Sequence, residues 1–81
     1  MTDSRKLKAV IIEKGFTQDQ IAELIGMSST TFSYKLNNKV EFKASEILII
    51  SKVLELTTQQ TMDIFFAENV ENKSTKLSAS T

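Results

Sequence analysis

The residues best suited to chemistry in this sequence lie within Thr17–Leu36, and most of them are hydroxyl and amide side chains. Four consecutive hydroxyls occupy Ser28–Thr31, and Tyr34 adds a phenol. Hydroxyls both donate and accept hydrogen bonds, so they suit recognition of a polar ligand without covalent chemistry. Between Ser28 and Val40 there are two lysines and no acid. This pattern favours a helix that lies against DNA in the major groove.

Composition excludes several kinds of catalytic site. The sequence has no His and no Cys, so the usual zinc and transition-metal ligands are missing, as are His general bases and Cys nucleophiles. No pair of carboxylates indicates catalysis, and four glutamates are expected on solvated helix faces: Glu13, Glu23, Glu46 and Glu55. We therefore expect no enzymatic activity, no cofactor and no metal.

Charge gives a weaker signal. The formal net charge is zero, which by itself argues against nucleic acid. Residues 1–43 nevertheless carry seven Lys/Arg and five Asp/Glu, a net charge of +2. Residues 44–81 carry three Lys/Arg and five Asp/Glu, a net charge of −2. No run approaches the ~20 apolar residues of a membrane span, and no apolar run follows the first basic residues as in a signal peptide. We expect a cytoplasmic protein.

The apolar spacing predicts short helices with no strand pattern. Helix 1 is expected at about 3–14, because Leu7, Val10 and Ile11 form one stripe and Gly15 suits the left-handed position that ends a helix. Helix 2 follows an N-cap at Thr17 and ends at Gly26. Gln20 is the expected capping-box partner of Thr17. The expected buried stripe consists of Ile21, Leu24 and Ile25, and Ala22 is a small residue that lets a second helix approach closely.

Three further helices complete the predicted all-α fold. Helix 3 follows an N-cap at Ser28 and runs to about Leu36, anchored by Phe32, and Asn38 then supplies the left-handed turn that Gly usually supplies. Met27 and Phe42 are expected in the core. Helix 4 is expected at about 44–55, with Ile47, Ile50 and Leu54 facing the core. Helix 5 is expected to begin at a Thr57–Gln60 capping box and to end at about Phe66, with Met62 and Phe65 facing the core. We expect one domain, 1–66, and a polar, flexible tail, 67–81.

Helices 2 and 3 with their short turn predict a helix-turn-helix. In such a unit the first helix crosses the phosphate backbone and the second lies in the groove. The expected base-contacting residues are Ser29, Thr30, Ser33 and Tyr34. The expected phosphate-contacting residues are Thr17, Gln18, Ser28, Thr31, Lys35, Asn37, Lys39 and Lys43. Tyr34 either contacts a base, clamps a sugar-phosphate or packs on helix 2.

The run Thr-Gln-x-x-Ile-Ala-x-x-Ile-Gly-Met-Ser-x-x-Thr-Phe, beginning at Thr17, resembles the helix-turn-helix of the Cro/lambda-repressor superfamily. Asn-Asn-Lys-x-x-Phe-Lys, Ile-Ser-Lys-Val-Leu-x-Leu-Thr and Ile-Phe-Phe follow in order and resemble small phage Cro-like repressors of Gram-positive hosts. The resemblance covers roughly residues 7–66. It implies a five-helix lambda-repressor-like DNA-binding domain, double-stranded operator DNA as ligand, binding as a homodimer and a bacterial host cell. It also implies that Gln18 contacts phosphate and that Ser29, Thr30 and Tyr34 face bases.

The sequence departs from that family at three points. An Arg–Glu pair common in the family is replaced by Ile11 and Leu36, and the usual Gly after helix 3 is Asn38. The predicted base-facing side lacks Gln and Arg, which make bidentate base contacts worth roughly 1–3 kcal/mol each. We therefore expect modest specificity per monomer, with more reliance on dimerisation or DNA shape.

Two functions remain open from the sequence. The first is a sequence-specific DNA-binding transcriptional regulator, a Cro-type repressor that occupies an operator. The second is a protein-interaction module of the same fold, an anti-repressor or co-repressor that binds another phage regulator. Zero net charge and the largely apolar helix 4 keep the second open, since Ile47–Ile50 belongs either to the core or to an interface. Phe66 is expected in the core, with the alternative that Phe66 and Val70 extend toward a dimer partner.

Overall fold

The computed structural model describes residues 1–67, and within them the chain forms five α-helices and no strand. The helices are α1 (Ser4–Glu13), α2 (Gln18–Leu24), α3 (Ser29–Leu36), α4 (Ala44–Val53) and α5 (Thr58–Phe65). The predicted all-α, five-helix fold is confirmed. The expected polar tail after Ala67, with Val70 in it, lies outside the described residues.

Local capping sets where the helices begin. Thr17 accepts the N–H of Gln20 at 3.1 Å while the Gln20 side chain accepts the N–H of Thr17 at 2.8 Å. Thr57 and Gln60 repeat this reciprocal capping box before α5. Ser28 accepts the N–H of Thr31 before α3. Each cap satisfies backbone donors that the first helical turn leaves free, and each confirms a predicted start.

Left-handed backbone marks the predicted helix ends. Gly15 (φ +87°) follows α1 and Gly26 (φ +75°) follows α2. Asn38 (φ 65°) follows α3, as the sequence predicts, and Glu55 (φ 55°) follows α4. Glu55 was expected inside helix 4. Helix 4 instead ends at Val53, and Glu55 adopts a conformation that residues with a Cβ rarely take.

One apolar core is shared by all five helices. Its most buried side chains are Leu7, Ile11, Ile21, Phe32, Leu36, Ile50 and Leu54. Phe42, from the connection before α4, packs edge-on against Phe32 at 5.8 Å and against Phe65 at 5.4 Å between ring centroids. These aromatic contacts join α3 to α5 through the connection, so the position of α3 depends on helices distant in sequence.

Two residues predicted in the buried stripes of α2 and α5 are exposed. Leu24 is 55% exposed and Met62 is 50% exposed, so their inward placement is wrong, and the core placement of Phe66, which is 54% exposed after α5, is wrong as well. Ile64, not singled out in the sequence, is buried instead of Met62. The errors at Leu24 and Met62 fall at the margins of amphipathic stripes, where the packing neighbours decide which side chains are covered.

The first residues of the chain are fastened to the ends of α3 and α5. The N–H of Asp3 donates to the carbonyl of Ile64 at 2.6 Å, and the N–H of Ala67 donates to the carbonyl of Met1 at 3.1 Å. The hydroxyl of Ser4 donates to the carbonyl of Leu36. The beginning of α1 therefore stabilises the end of α3.

Candidate functional site

The connection between α2 and α3 is short and held by its own backbone. Four residues separate the two helices, Ile25–Ser28. The N–H of Gly26 donates to the carbonyl of Glu23 at 3.1 Å, and that of Met27 donates to the carbonyl of Ala22 at 2.8 Å. Ala22 is almost fully buried, and its small side chain lets the helices approach closely. These hydrogen bonds fix the first part of the connection against the end of α2, and the short connection keeps α3 next to α2.

The core-facing side of α3 leaves a polar side exposed. Phe32 and Leu36 are buried, while Ser29 and Thr30 are exposed and Tyr34 is 49% exposed. Ser33 is half-buried. Hydroxyls and one phenol therefore share an accessible surface on a helix that contains no acidic residue, and three of the four predicted base-contacting residues are exposed there.

Hydrogen bonds within the chain already engage part of this surface. The hydroxyl of Ser28 donates to Thr31 Oγ1 at 2.9 Å, so two predicted phosphate-contacting hydroxyls form one cap. The side-chain amide of Asn37 donates to the carbonyl of Ser33 at 2.9 Å. Thr30 makes no side-chain hydrogen bond within residues 1–67, so its hydroxyl is available to a ligand.

Two lysines lie in the connection that follows α3, and the ammonium of one of them already contacts an aromatic ring. The Lys39 ammonium lies 5.9 Å from the centroid of the Tyr34 ring, a cation–π distance. Lys43 is exposed immediately before α4. Together with Asn37 they occupy the connection that follows α3. At the other end of the surface, Thr17 and Gln18 are exposed at the start of α2.

Lys35 is not on the exposed surface, so its placement beside phosphates is corrected. Lys35 is only 6% exposed, and its ammonium donates to both carboxylate oxygens of Glu46 at 2.8 Å. The helical spacing explains this position, because Lys35 lies three residues after Phe32 and next to Leu36 on the buried stripe. The expectation that Glu46 is a solvated glutamate is wrong for the same reason.

The environment of Glu46 favours its ionised form. Burial alone raises the pKa of this carboxyl, but hydrogen bonds from Lys35 and from the backbone of Lys43, with the charges of both lysines, outweigh burial. The pKa of Glu46 is therefore lowered from its ordinary value. A lysine at the i+3 position of an apolar stripe, with a glutamate in the next helix, is the sequence signal that could have predicted this pair.

A second surface lies between α4 and α5. An apolar groove there is lined by Ile47, Leu48, Leu56 and Met62, with Lys52 and Glu55 at its rim. Leu48 and Met62 are each at least half exposed. Ile47 packs against the core and Ile50 is buried in it, whereas Leu48 and Ile49 are accessible, so Ile47–Ile50 is divided between core and surface.

Comparison with known proteins gives one match, to a family model. A family model described as "Protein of unknown function (DUF739)" matches residues 1–68. No curated protein matches the sequence. Within residues 1–67, no helix has the length and apolar character needed to cross a membrane.

Proposed function

The chain belongs to the DUF739 family, and we propose that it is a sequence-specific DNA-binding transcriptional regulator of the phage Cro type. In this proposal α2 and α3 form a helix-turn-helix, and α3 enters the major groove of operator DNA. Ser29 and Thr30 contact base edges, and Tyr34 contacts a base or the adjacent sugar-phosphate. Occupying the operator represses transcription by excluding the polymerase from the promoter.

The observation that carries the proposal is the exposed, acid-free side of α3, which follows α2 after a short, hydrogen-bonded connection. Ser29, Thr30 and Tyr34 share this side. Gln18 at the start of α2 and Lys39 and Lys43 after α3 are exposed, and in this proposal they contact the phosphates that flank the groove-bound helix. Helix N-termini and lysines are the groups that proteins use against the DNA backbone.

Binding as a homodimer on DNA follows from the small size of this surface. An eight-residue helix with hydroxyl side chains contacts few bases, and a single contact of this kind discriminates weakly. A homodimer that binds two half-sites doubles the number of base contacts, and it requires an operator with two-fold symmetry. We propose that this takes place in the cytoplasm of a bacterial host.

Selection from a pool of randomised duplexes tests the proposal directly. We expect a recovered two-fold symmetric sequence, and affinity for it that falls steeply as salt is raised, because each neutralised phosphate releases counterions. Recovery of no sequence preference, or affinity that is flat with salt, would refute DNA recognition.

A protein-interaction module of the same fold is the second candidate, supported by the α4–α5 groove. Leu48 and Met62 expose apolar surface there that the core does not use. Such grooves accept amphipathic helices of partner proteins. Binding of another phage regulator in the absence of DNA, abolished by Leu48→Lys and unaffected by Ile12→Lys, would favour this function. Ile12 is an equally apolar exposed residue of α1 and serves as the matched control.

A further inference from the structure

Lys35 and Glu46 form a partly buried ion pair that joins the last turn of α3 to the first turn of α4. The Lys35 ammonium donates to Oε1 and Oε2 of Glu46, both at 2.8 Å, and the two side chains are 8% and 17% exposed. Glu46 Oε1 also accepts the backbone N–H of Lys43 at 2.8 Å. One carboxylate therefore holds the end of α3 and the residue that precedes α4.

The ion pair closes the connection between these helices into a loop. The connection is 37–43, and it contains three predicted phosphate-contacting residues, Asn37, Lys39 and Lys43. Its two ends are joined by the Lys35–Glu46 contact and by the hydrogen bond from Lys43 to Glu46. The ion pair therefore acts on the position of the loop relative to α3, together with the packing of Phe42 against Phe32 and the hydrogen bonds between Asn38 and Thr2.

Stability alone does not explain a partly buried ion pair at this position. Removing charges from water costs free energy that cancels part of their attraction, and apolar side chains of similar volume often stabilise a fold equally well or better. Three hydrogen bonds, two from the Lys35 ammonium and one from the backbone N–H of Lys43, converge on the one carboxylate of Glu46, so Lys35 and Lys43 must both lie within hydrogen-bond distance of Glu46 at the same time.

We propose that Lys35 and Glu46 are positioning residues, which fix the loop 37–43 against α3 so that base-facing and phosphate-facing side chains meet DNA in one register. The inference rests on the proposed DNA-binding function. Neither residue contacts DNA. They act through Lys39 and Lys43 on one side and through the exposed side of α3 on the other.

The double variant Lys35→Met/Glu46→Gln tests this assignment. It leaves the net charge unchanged, and the amide introduced by Glu46→Gln keeps an oxygen that can accept the N–H of Lys43. We expect a thermal midpoint equal to or above that of the wild type, because the buried charges are removed together. We expect affinity for the duplex selected by the wild type to fall about tenfold, the size of one lost base contact, while affinity for a scrambled duplex is unchanged.

Two further variants separate positioning from general effects of charge or fold. Lys35→Arg retains the ion pair and should retain the preference for the selected duplex. The matched control Lys52→Met/Glu55→Gln removes an equally neutral pair of charges from the exposed rim of the α4–α5 groove and should leave DNA selectivity unchanged.

The outcomes distinguish the inference from the proposed function. A wild-type chain that selects no sequence refutes the proposed function and the inference with it. A wild type that selects a sequence, with a double variant of equal selectivity, overturns the inference alone. A double variant that unfolds also overturns it, because the pair would then be needed for stability. Without DNA, amide hydrogen exchange over 37–43 should quicken in the double variant, and unchanged protection would contradict the inference.

Discussion

Asn38 binds the backbone of Thr2 through both polar atoms of its side-chain amide. The N–H of Thr2 donates to Asn38 Oδ1 at 2.8 Å, and Asn38 Nδ2 donates to the carbonyl of Thr2 at 2.9 Å. Thr2 is buried as a result. The residue that turns the chain after α3 therefore also fastens the N-terminal segment, a task that glycine at this position could not perform.

This double role predicts opposite effects of the same substitution at two left-handed positions. Asn38→Gly should lower the free energy of unfolding by about 1–3 kcal/mol, because two hydrogen bonds are lost at about 0.5–1.5 kcal/mol each and Asn already tolerates this backbone geometry. Glu55→Gly should raise it by about 0.5–1 kcal/mol, because Glu55 has a similar φ without a side-chain hydrogen bond within residues 1–67. Urea unfolding of both variants measures the two signs. Equal effects would contradict the role of the Asn38 amide.

Thr30→Ala should separate DNA binding from stability. Thr30 is exposed on α3 and makes no side-chain hydrogen bond within the described chain, so its removal should leave the thermal midpoint nearly unchanged. Affinity for the selected duplex should fall by about 1 kcal/mol, roughly fivefold, as expected for one hydroxyl contact. Thr58→Ala, at an exposed position of α5, is the matched control. Intact affinity in Thr30→Ala would show that the base-facing side is wrongly assigned.

Phe32→Ala should have the reverse profile. Phe32 is 1% exposed and packs edge-on against Phe42, so truncation leaves a cavity and should cost roughly 3–5 kcal/mol of stability. A domain of this size has about 5 kcal/mol in total, so partial unfolding at room temperature is expected. Circular dichroism during urea unfolding measures the loss. A stability within about 1 kcal/mol of the wild type would contradict the central place of Phe32 in the core.

Glu46 should make stability depend on pH in the acid range. Burial opposes its ionisation, but the hydrogen bonds and charges of Lys35 and Lys43 prevail and place its folded-state pKa below the ordinary value of 4.5. A depressed carboxyl pKa contributes stability that is fully present above the unfolded pKa and is lost as pH falls through the folded pKa. Glu46→Gln should therefore flatten the decline of stability below about pH 4.5 relative to the wild type. If the stability of the wild type and that of Glu46→Gln decline in parallel as pH falls, the ionisation of Glu46 does not contribute to the pH dependence of stability.

The elements predicted correctly from the sequence are those whose physics is local. The starts of α2, α3 and α5 depend on a cap and a donor three residues away, as at Thr17 and Gln20, so they are visible in a few letters. The left-handed ends at Gly15, Gly26 and Asn38 depend on backbone sterics of single residues. The centre of the α3 stripe, Phe32 and Leu36, was likewise predicted.

The candidate site was predicted only in part for a related reason. The exposure of Ser29, Thr30 and Tyr34 follows from the position of Phe32 and Leu36 on the same helix. Lys35 was misplaced because a lone lysine is usually solvated, and its partner lies in another helix. The contact between the Lys39 ammonium and the Tyr34 ring also depends on the path of the connection after α3, which local sequence patterns do not specify.

The five helices and the polar side of α3 are specified locally, because caps, left-handed turns and apolar spacing act within a few residues. Contacts between distant parts of the chain are the reason that Leu24 and Met62 are exposed, that Lys35 and Glu46 pair, and that Asn38 binds Thr2 across 36 positions of sequence. Whether a residue at the edge of an apolar stripe is buried, and whether a charged side chain is removed from water, depends on the surface that packs against it. That surface comes from distant parts of the chain, which local patterns do not specify.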